Sequence, residues 1–312
     1  MKKNLLTTAM LLIALMAQAQ KSVTIAPVLK AGMQKNYISK GEATTPGSAA
    51  ADVSGELTYK VVSKTADGFQ IDMMSKANKI DATDMMQTIS SPDIMQLLNS
   101  MNVELLTDKK GCLTAIKNSA ELKEKCNALI DSLFNSIINK SPQMKDNEML
   151  KSTMQKAIST MKEMFTDEYL FESFTQTPSI VSLNGKTITD GMVEDGIYAQ
   201  FFKTKTTYSI LNGGKTIVQD TKADVDMKSM KAYMIKMMES MMPESVAKQT
   251  NPEQMSEMIE GMISNGTIKM DMTRKATYDI GEDGWVKKMV MEMDLNTPNQ
   301  KGKMRQVITQ KD

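Results

Sequence analysis

The chain has 312 residues, among them 32 methionines, two cysteines and no histidine, with 38 basic and 37 acidic side chains. Without imidazole, the usual serine triad, Cys-His dyads, His-ligated zinc and imidazole acid–base chemistry are unavailable, and two cysteines cannot form a four-thiolate metal site. The balanced charge argues against a nucleic-acid surface, and no long run of one sign points to a polybasic membrane patch or an acidic tail.

Residues 1–19 read as an export signal. Lys2 and Lys3 give a positive start, Leu5 to Met16 an apolar run of twelve, and Ala17-Gln18-Ala19 the small residues of a cleavage site. Twelve residues are too few to cross a bilayer, and no later stretch approaches the roughly twenty that a spanning helix needs. Cleavage after Ala19 leaves 293 residues of the 312, with 36 basic and 37 acidic side chains because Lys2 and Lys3 are lost. A lipid anchor needs a cysteine directly after the cut. The cysteines are Cys112 and Cys126, so a soluble product in the periplasm or outside the cell is expected.

In chain order, Leu57 to Val61 and Phe69 to Met73 flank Ala66-Asp67-Gly68 as a hairpin. The region Asp84 to Met101 reads as a helix interrupted near Pro92. Val103 to Leu106 and Leu113 to Ile116 form a second hairpin around Asp108-Lys109-Lys110-Gly111. Helical stripes follow at Leu122, Cys126, Leu129, Leu133 and Ile137, then at Leu150, Met154, Ile158, Met161 and Phe165. Strands are expected at Tyr169 to Phe174, Ile197 to Ile210 and Thr216 to Val225, with Asn212-Gly213-Gly214 as a turn.

Met227, Met230, Met234, Met237 and Met241 then step by three and four, with Met238 and Met242 widening the stripe and Lys228, Lys231, Lys236 and Glu239 opposite. That spacing gives an amphipathic helix with a methionine face. Pro243 ends it, and Asn251-Pro252-Glu253 opens a second helix carrying Met255, Met258, Ile259, Met262 and Ile263. Ile268, Met270, Met272, Ala276, Tyr278 and Ile280 share one parity of a strand whose other parity is polar, and Arg274 alone breaks the rule. After the turn Gly281-Glu282-Asp283-Gly284, Met289, Met291, Met293 and Leu295 again share a face.

Strands following strands with inserted helices make an α+β fold: a curved antiparallel sheet or open half-barrel covered by amphipathic, Met-rich helices. Residues 20–312 are expected to form one domain. Its two stretches, about 52–166 and 167–312, follow one plan of hairpin, long strand, methionine-bearing helices and hairpin, as a duplication would produce. Two cysteines in an oxidising compartment usually pair, so a Cys112–Cys126 disulfide is expected; closing a loop of ~15 residues contributes about 3 kcal/mol. The alternative is two free, half-buried thiols.

The signal ending Ala17-Gln18-Ala19-Gln20, the stretch Val28 to Met33, Tyr59-Lys60-Val61-Val62, the central helical region and the closing Trp285 to Met293 strand together resemble a group of uncharacterised exported proteins of Gram-negative bacteria. That group's repeated sheet-and-helix plan is similar to the open half-barrels of periplasmic lipoprotein carriers and related lipid-binding envelope proteins. The resemblance implies fold and location; it brings no catalytic residues.

Function divides three ways. Helices with methionine faces over a curved sheet make a cavity for an apolar ligand, a lipid or an acylated protein, because thioether surfaces repack around varied apolar partners. Its lining is expected from Met230, Met234, Met238, Met270, Met272, Met289, Met291 and Met293. The second reading is a structural or protein-interaction component of the envelope, with methionine as ordinary core filling. The third is Cu(I) held by thioethers, since Met270/Met272 and Met291/Met293 each point two sulfurs to one side of a strand. Asp190-Gly191 and Glu194-Asp195-Gly196 miss the EF-hand spacing and read as solvated turns. No phosphate cradle or dinucleotide fingerprint occurs, so neither an enzymatic activity nor a cofactor is expected.

Overall fold

The computed structural model describes residues 21–44, 50–81, 92–140, 147–163, 165–198, 201–241, 252–264, 271–297 and 301–311. The expected export signal and Met270 lie outside them. Among the described residues there are thirteen strands: β1 (Ser22–Thr24), β2 (Gln34–Thr44), β3 (Ala51–Lys64), β4 (Gly68–Asp81), β5 (Asn102–Asp108), β6 (Leu113–Ile116), β7 (Thr187–Thr189), β8 (Val193–Tyr198), β9 (Phe202–Leu211), β10 (Thr216–Val225), β11 (Asp271–Ile280), β12 (Val286–Asn296) and β13 (Lys301–Gln310). The described helices are α1 (Pro92–Asn99), α2 (Ser119–Lys140), α3 (Glu148–Glu163), α4 (Asp167–Gln176), α5 (Met227–Met241) and α6 (Pro252–Ser264). Among the described residues, no helix is long and apolar enough to cross a membrane.

Eleven strands form one antiparallel sheet in the order β6-β5-β4-β3-β2-β13-β12-β11-β10-β9-β8, while β1 and β7 pair separately. Among the described residues the sheet is open and curved, with β6 and β8 as its edges and no closure into a barrel. The fold is therefore the α+β arrangement expected from the alternation of strands and helices. Two meanders make the sheet, β2 to β6 and β8 to β13, and the pairing of β2 with β13 joins them.

Period-two alternation sends one row of each strand inward, toward α2, α4 and the turn 178–185. Ile71, Val61 and Leu105 from the sheet meet Leu122 of α2, Leu170 of α4 and Ile180, Val181 and Leu183 of the turn in one buried cluster, which also holds Trp285 and Met289. The segment before β2 closes the rim: Val28 N–H donates to Asp283 O at 2.8 Å, and Trp285 Nε1–H donates to Val28 O at 3.0 Å. Lys35 anchors the same turn through a 2.6 Å ion pair with Asp283.

Several local expectations change. Tyr169 to Phe174 is helical within α4, because Thr166 caps it, accepting from Tyr169 N–H at 3.1 Å, and Asp167 and Glu168 suit the positive end of the dipole. The stretch Ile197 to Ile210 is two strands, broken between Tyr198 and Phe202. The helix expected over Asp84 to Met101 is described only from Pro92 to Asn99. Strands β2 and β13 carry no expectation from the sequence, yet they form the seam of the sheet.

Candidate functional site on the inner face of the sheet

The inner face is organised in rows that cross the strands. One row passes through Ile210, Ile217, Tyr278, Met289, Ile308, Ser39, Gly55 and Ala77. At Met289 it is solid core, because Tyr278, Met289 and the adjacent Trp285 are fully buried. Four residues along each strand, two inward positions further on, the parallel row reads Glu194, Thr206, Thr221, Arg274, Met293, Met304, Ala43 and Ala51. This row changes character at Arg274. On the β8 side it is polar; on the β3 side it is methionine and alanine.

The apolar end is not sealed. Met293, Met304 and Ala43 are half-buried, and Val53, on the row between these two, keeps 40% of its surface exposed. Small side chains, Gly41, Ala43, Ala51 and Gly55, hold the β2–β3 surface low. A Cβ on Gly41 would meet nothing closer than 3.9 Å, so space stands open above it.

The polar end opens into a cavity of about 410 Å³ lined by Gln176, Lys186, Glu194, Thr204, Gln219 and Arg274, among others. A relay of hydrogen bonds lines it. Tyr278 Oη–H donates to Gln219 Oε1 at 2.7 Å, Gln219 Nε2–H donates to Tyr208 Oη at 3.2 Å, and Tyr208 Oη–H donates to Glu194 Oε2, which also accepts from Lys186 Nζ at 3.3 Å. Burial pushes the Tyr208 phenol well above its ordinary pKa, and the Glu194 carboxylate adds to the shift. Each member of this relay therefore has a partner.

Arg274 does not share in it. The residue is only 6% exposed, and its Nη2–H donates to Gln176 O at 2.8 Å. Its guanidinium lies 5.5 Å from the ring centre of Tyr198, a cation–π contact. Among the described residues no carboxylate pairs with it, and its buried Nε lacks a hydrogen-bond partner, as does the buried Oε1 of Gln176. Burial draws its pKa down, opposed by Tyr278, Tyr198 and Tyr208.

A second cavity, about 500 Å³, runs between α3 and α5, with Phe201 and Tyr233 stacked along it at 5.6 Å between ring centres. Lys236 pairs with Glu163 across it at 2.8 Å. Phe201 also touches the small cluster of Phe202, Ala223 and Met272, with Met293 and Leu295 against it.

The methionines expected to line one cavity are distributed over three places. Met289 and Met291 belong to the main core. Met272 and Met293 belong to the Phe202 cluster. Met230 is buried in the helical layer, with Met234 and Met238 half-buried beside it along α5. That layer includes Ile158 of α3 and Met255 and Ile259 of α6, all buried. Neither cavity described above has a methionine in its lining.

The expected Cys112–Cys126 bridge is not formed, and both cysteines are free thiols. Cys112 is held by the β5–β6 turn, where its N–H donates to Asp108 Oδ1 at 2.9 Å. Its Sγ aims at Gly185, where a Cβ would lie 2.3 Å away. Cys126 faces α4 closely enough to help raise the pKa of Tyr169. Burial pushes both thiols up, and Asp108 adds to the shift at Cys112.

Sequence flagged Arg274 only as an exception to alternation. Glu194 was weighed only within a calcium-like turn and set aside, and Gln176, Thr204 and Gln219 gave no signal as site residues, since the four come from α4, β8, β9 and β10 and meet only in the folded sheet. The chain matches no family model. Among characterised proteins no sequence match is found. Among solved structures it matches the one titled "Lipid-protein interactions in lipovitellin", with TM-score 0.39 and 9% identity over 91% of this chain and 26% of that one. The chain thus spans about a quarter of that protein's length, and lipid interaction is stated there of lipovitellin.

Proposed function

We propose that this chain is an exported, non-enzymatic binding protein that carries an apolar ligand, a lipid or an acylated partner, on the inner face of its sheet. One observation carries the reading: the row Met293, Met304, Ala43 and Ala51 is continuous across four strands, yet only Ala51 is buried. Exposed apolar surface on the concave side of a sheet is unfavourable unless something covers it, at roughly 25 cal/mol per Å². Half-buried methionines suit such a surface because their unbranched chains repack around ligands of different shape.

The test is displacement of the fluorescent apolar probe N-phenyl-1-naphthylamine by wild type and by Gly41→Trp. Position 41 has room for a side chain, so the tryptophan fills the open strip without displacing backbone. At least a tenfold loss of probe affinity with an unchanged melting temperature is expected. Equal affinity in both proteins removes the inner face as the site.

One observation favours an interaction role instead. On the edge strand β8, Val193 and Ile197 are each 48% exposed. A sheet edge bearing exposed aliphatic side chains is a pairing surface for another chain. Concentration-dependent self-association or partner capture abolished by Val193→Lys and Ile197→Lys, without any probe binding to the inner face, would favour that reading.

A further inference from the structure

We propose that the Arg274 cavity receives the negatively charged end of the ligand, so that the molecule carried is a single-chain anionic amphiphile, a long-chain carboxylate whose chain runs over Met293, Met304 and Ala43. This rests on the apolar-ligand reading and specifies its chemistry.

Burying a guanidinium is costly unless its charge and donors are met. Arg274 occupies an inward position whose counterparts along β11 are Met272, Ala276 and Tyr278, all buried. A methionine there would continue the row of Met293 and Met304 at no electrostatic cost. Instead the position holds a cation whose Nη2–H donates to Gln176 O and whose buried Nε has no acceptor.

A carboxylate fits what is left over. It accepts in parallel from two N–H groups of an arginine, which is the strongest neutralisation a planar guanidinium finds. Gln176, whose Oε1 is also buried without a partner, can turn its amide by half a rotation and offer NH₂ to the same anion. The cavity's own carboxylates do not compete for Arg274. Glu194 is engaged by Tyr208 and Lys186, and Asp195 lies opposite Lys205 on the other side of the strand.

The tail has a direct path. Arg274 is the cross-strand neighbour of Met293, which is paired in turn with Met304, Ala43 and Ala51. Four strand steps of ~4.8 Å make a track of about 19 Å, the reach of an extended long-chain acyl group. A head-only anion would leave that track bare, and a neutral lipid would leave Arg274 unmatched.

The experiment titrates delipidated protein with palmitate, hexadecanol and acetate. Palmitate is expected to bind at least tenfold more tightly than hexadecanol, and acetate hardly at all. In Arg274→Gln the palmitate advantage is expected to vanish while hexadecanol affinity is kept; Arg274→Lys, which retains the charge, is expected to keep part of it. Equal affinity of the wild type for palmitate and hexadecanol overturns the inference and leaves the apolar-ligand reading standing, a comparison that needs no variant to fold. A palmitate preference that survives in Arg274→Gln also overturns it. Acetate binding as tightly as palmitate makes this a small-anion site and removes the tail. If neither palmitate nor hexadecanol binds, both readings fall together.

Discussion

Arg274 and Met293 are cross-strand partners on β11 and β12, and between them the inner face of the sheet passes from polar to apolar. Thr221 and Thr206 continue the row on one side, Met304 and Ala43 on the other. A boundary of this kind, with a buried cation on the line, would orient a molecule that has one charged and one oily end.

The methionines differ in what they do, and truncation separates them. Met289 is fully buried against Trp285 and Tyr278, whereas Met293 is half-buried at the open strip. Met289→Ala is expected to cost about 2–5 kcal/mol in urea unfolding, as buried methionine truncations do. Met293→Ala is expected to cost less than half as much and to weaken apolar probe binding instead. Similar losses of stability in both would remove the distinction between core and surface methionine.

Trp285 is the sole tryptophan of the chain, and it is fully buried with its Nε1–H on Val28 O. Its emission is expected to be blue-shifted and resistant to acrylamide quenching in the native state, moving to the red in one cooperative step on unfolding. A quenching constant near that of free tryptophan would contradict the packing of residues 25–28 against the β11–β12 turn.

Two glycines separate backbone strain from collision. Gly32 and Gly284 both have left-handed φ, 86° and 76°. A Cβ on Gly32 meets nothing within 4 Å, while one on Gly284 would lie 2.2 Å from Ala26 O. Gly32→Ala is expected to cost roughly 1–2 kcal/mol, the ordinary penalty for that φ. Gly284→Ala adds the clash with the rim segment and should lower the melting temperature clearly further. Thermal denaturation of the two variants side by side decides the point.

Acid stability follows from the rim as well. Burial raises the pKa of Asp283, but the hydrogen bonds from Lys35 and Trp285 N–H and the Lys35 charge outweigh it, so the carboxyl is held below its ordinary value of 3.8. A carboxylate with a depressed folded-state pKa contributes stability that is present above its unfolded pKa and lost as pH falls through the folded one. Unfolding midpoints in urea are therefore expected to drop below about pH 4 in wild type and to drop less steeply in Asp283→Asn. Identical slopes would mean that the Lys35–Asp283 pair is not closed in solution.

Much of the architecture was legible because the strands that face the core strongly alternate. On β11, the parity of Met272, Ala276 and Tyr278 predicted the buried face residue by residue, and the methionine steps predicted α5. The seam was illegible for the opposite reason: of the inward residues of β2, Lys35, Tyr37, Ser39, Gly41 and Ala43, only Tyr37 is large and apolar, and the small Ser39, Gly41 and Ala43 that follow give no period-two signal. The smallness that hides β2 in the sequence is what leaves the inner strip open. Tyr169 to Phe174 failed because its aromatic richness favours a strand locally, while the Thr166 cap and packing on the core select a helix. The cysteines lay close in sequence, but the turn that holds Cys112 directs its sulfur to Gly185 and not to α2.

The most direct measurement is photoaffinity labelling with palmitate carrying a diazirine midway along its chain, followed by peptide mapping. Labels on β12, β13 and β2, at and around Met293, Met304 and Ala43, lost on competition with unlabelled palmitate, are the predicted result. Labels confined to the outer face or to the α3–α5 groove at Phe201 and Tyr233 would contradict the account.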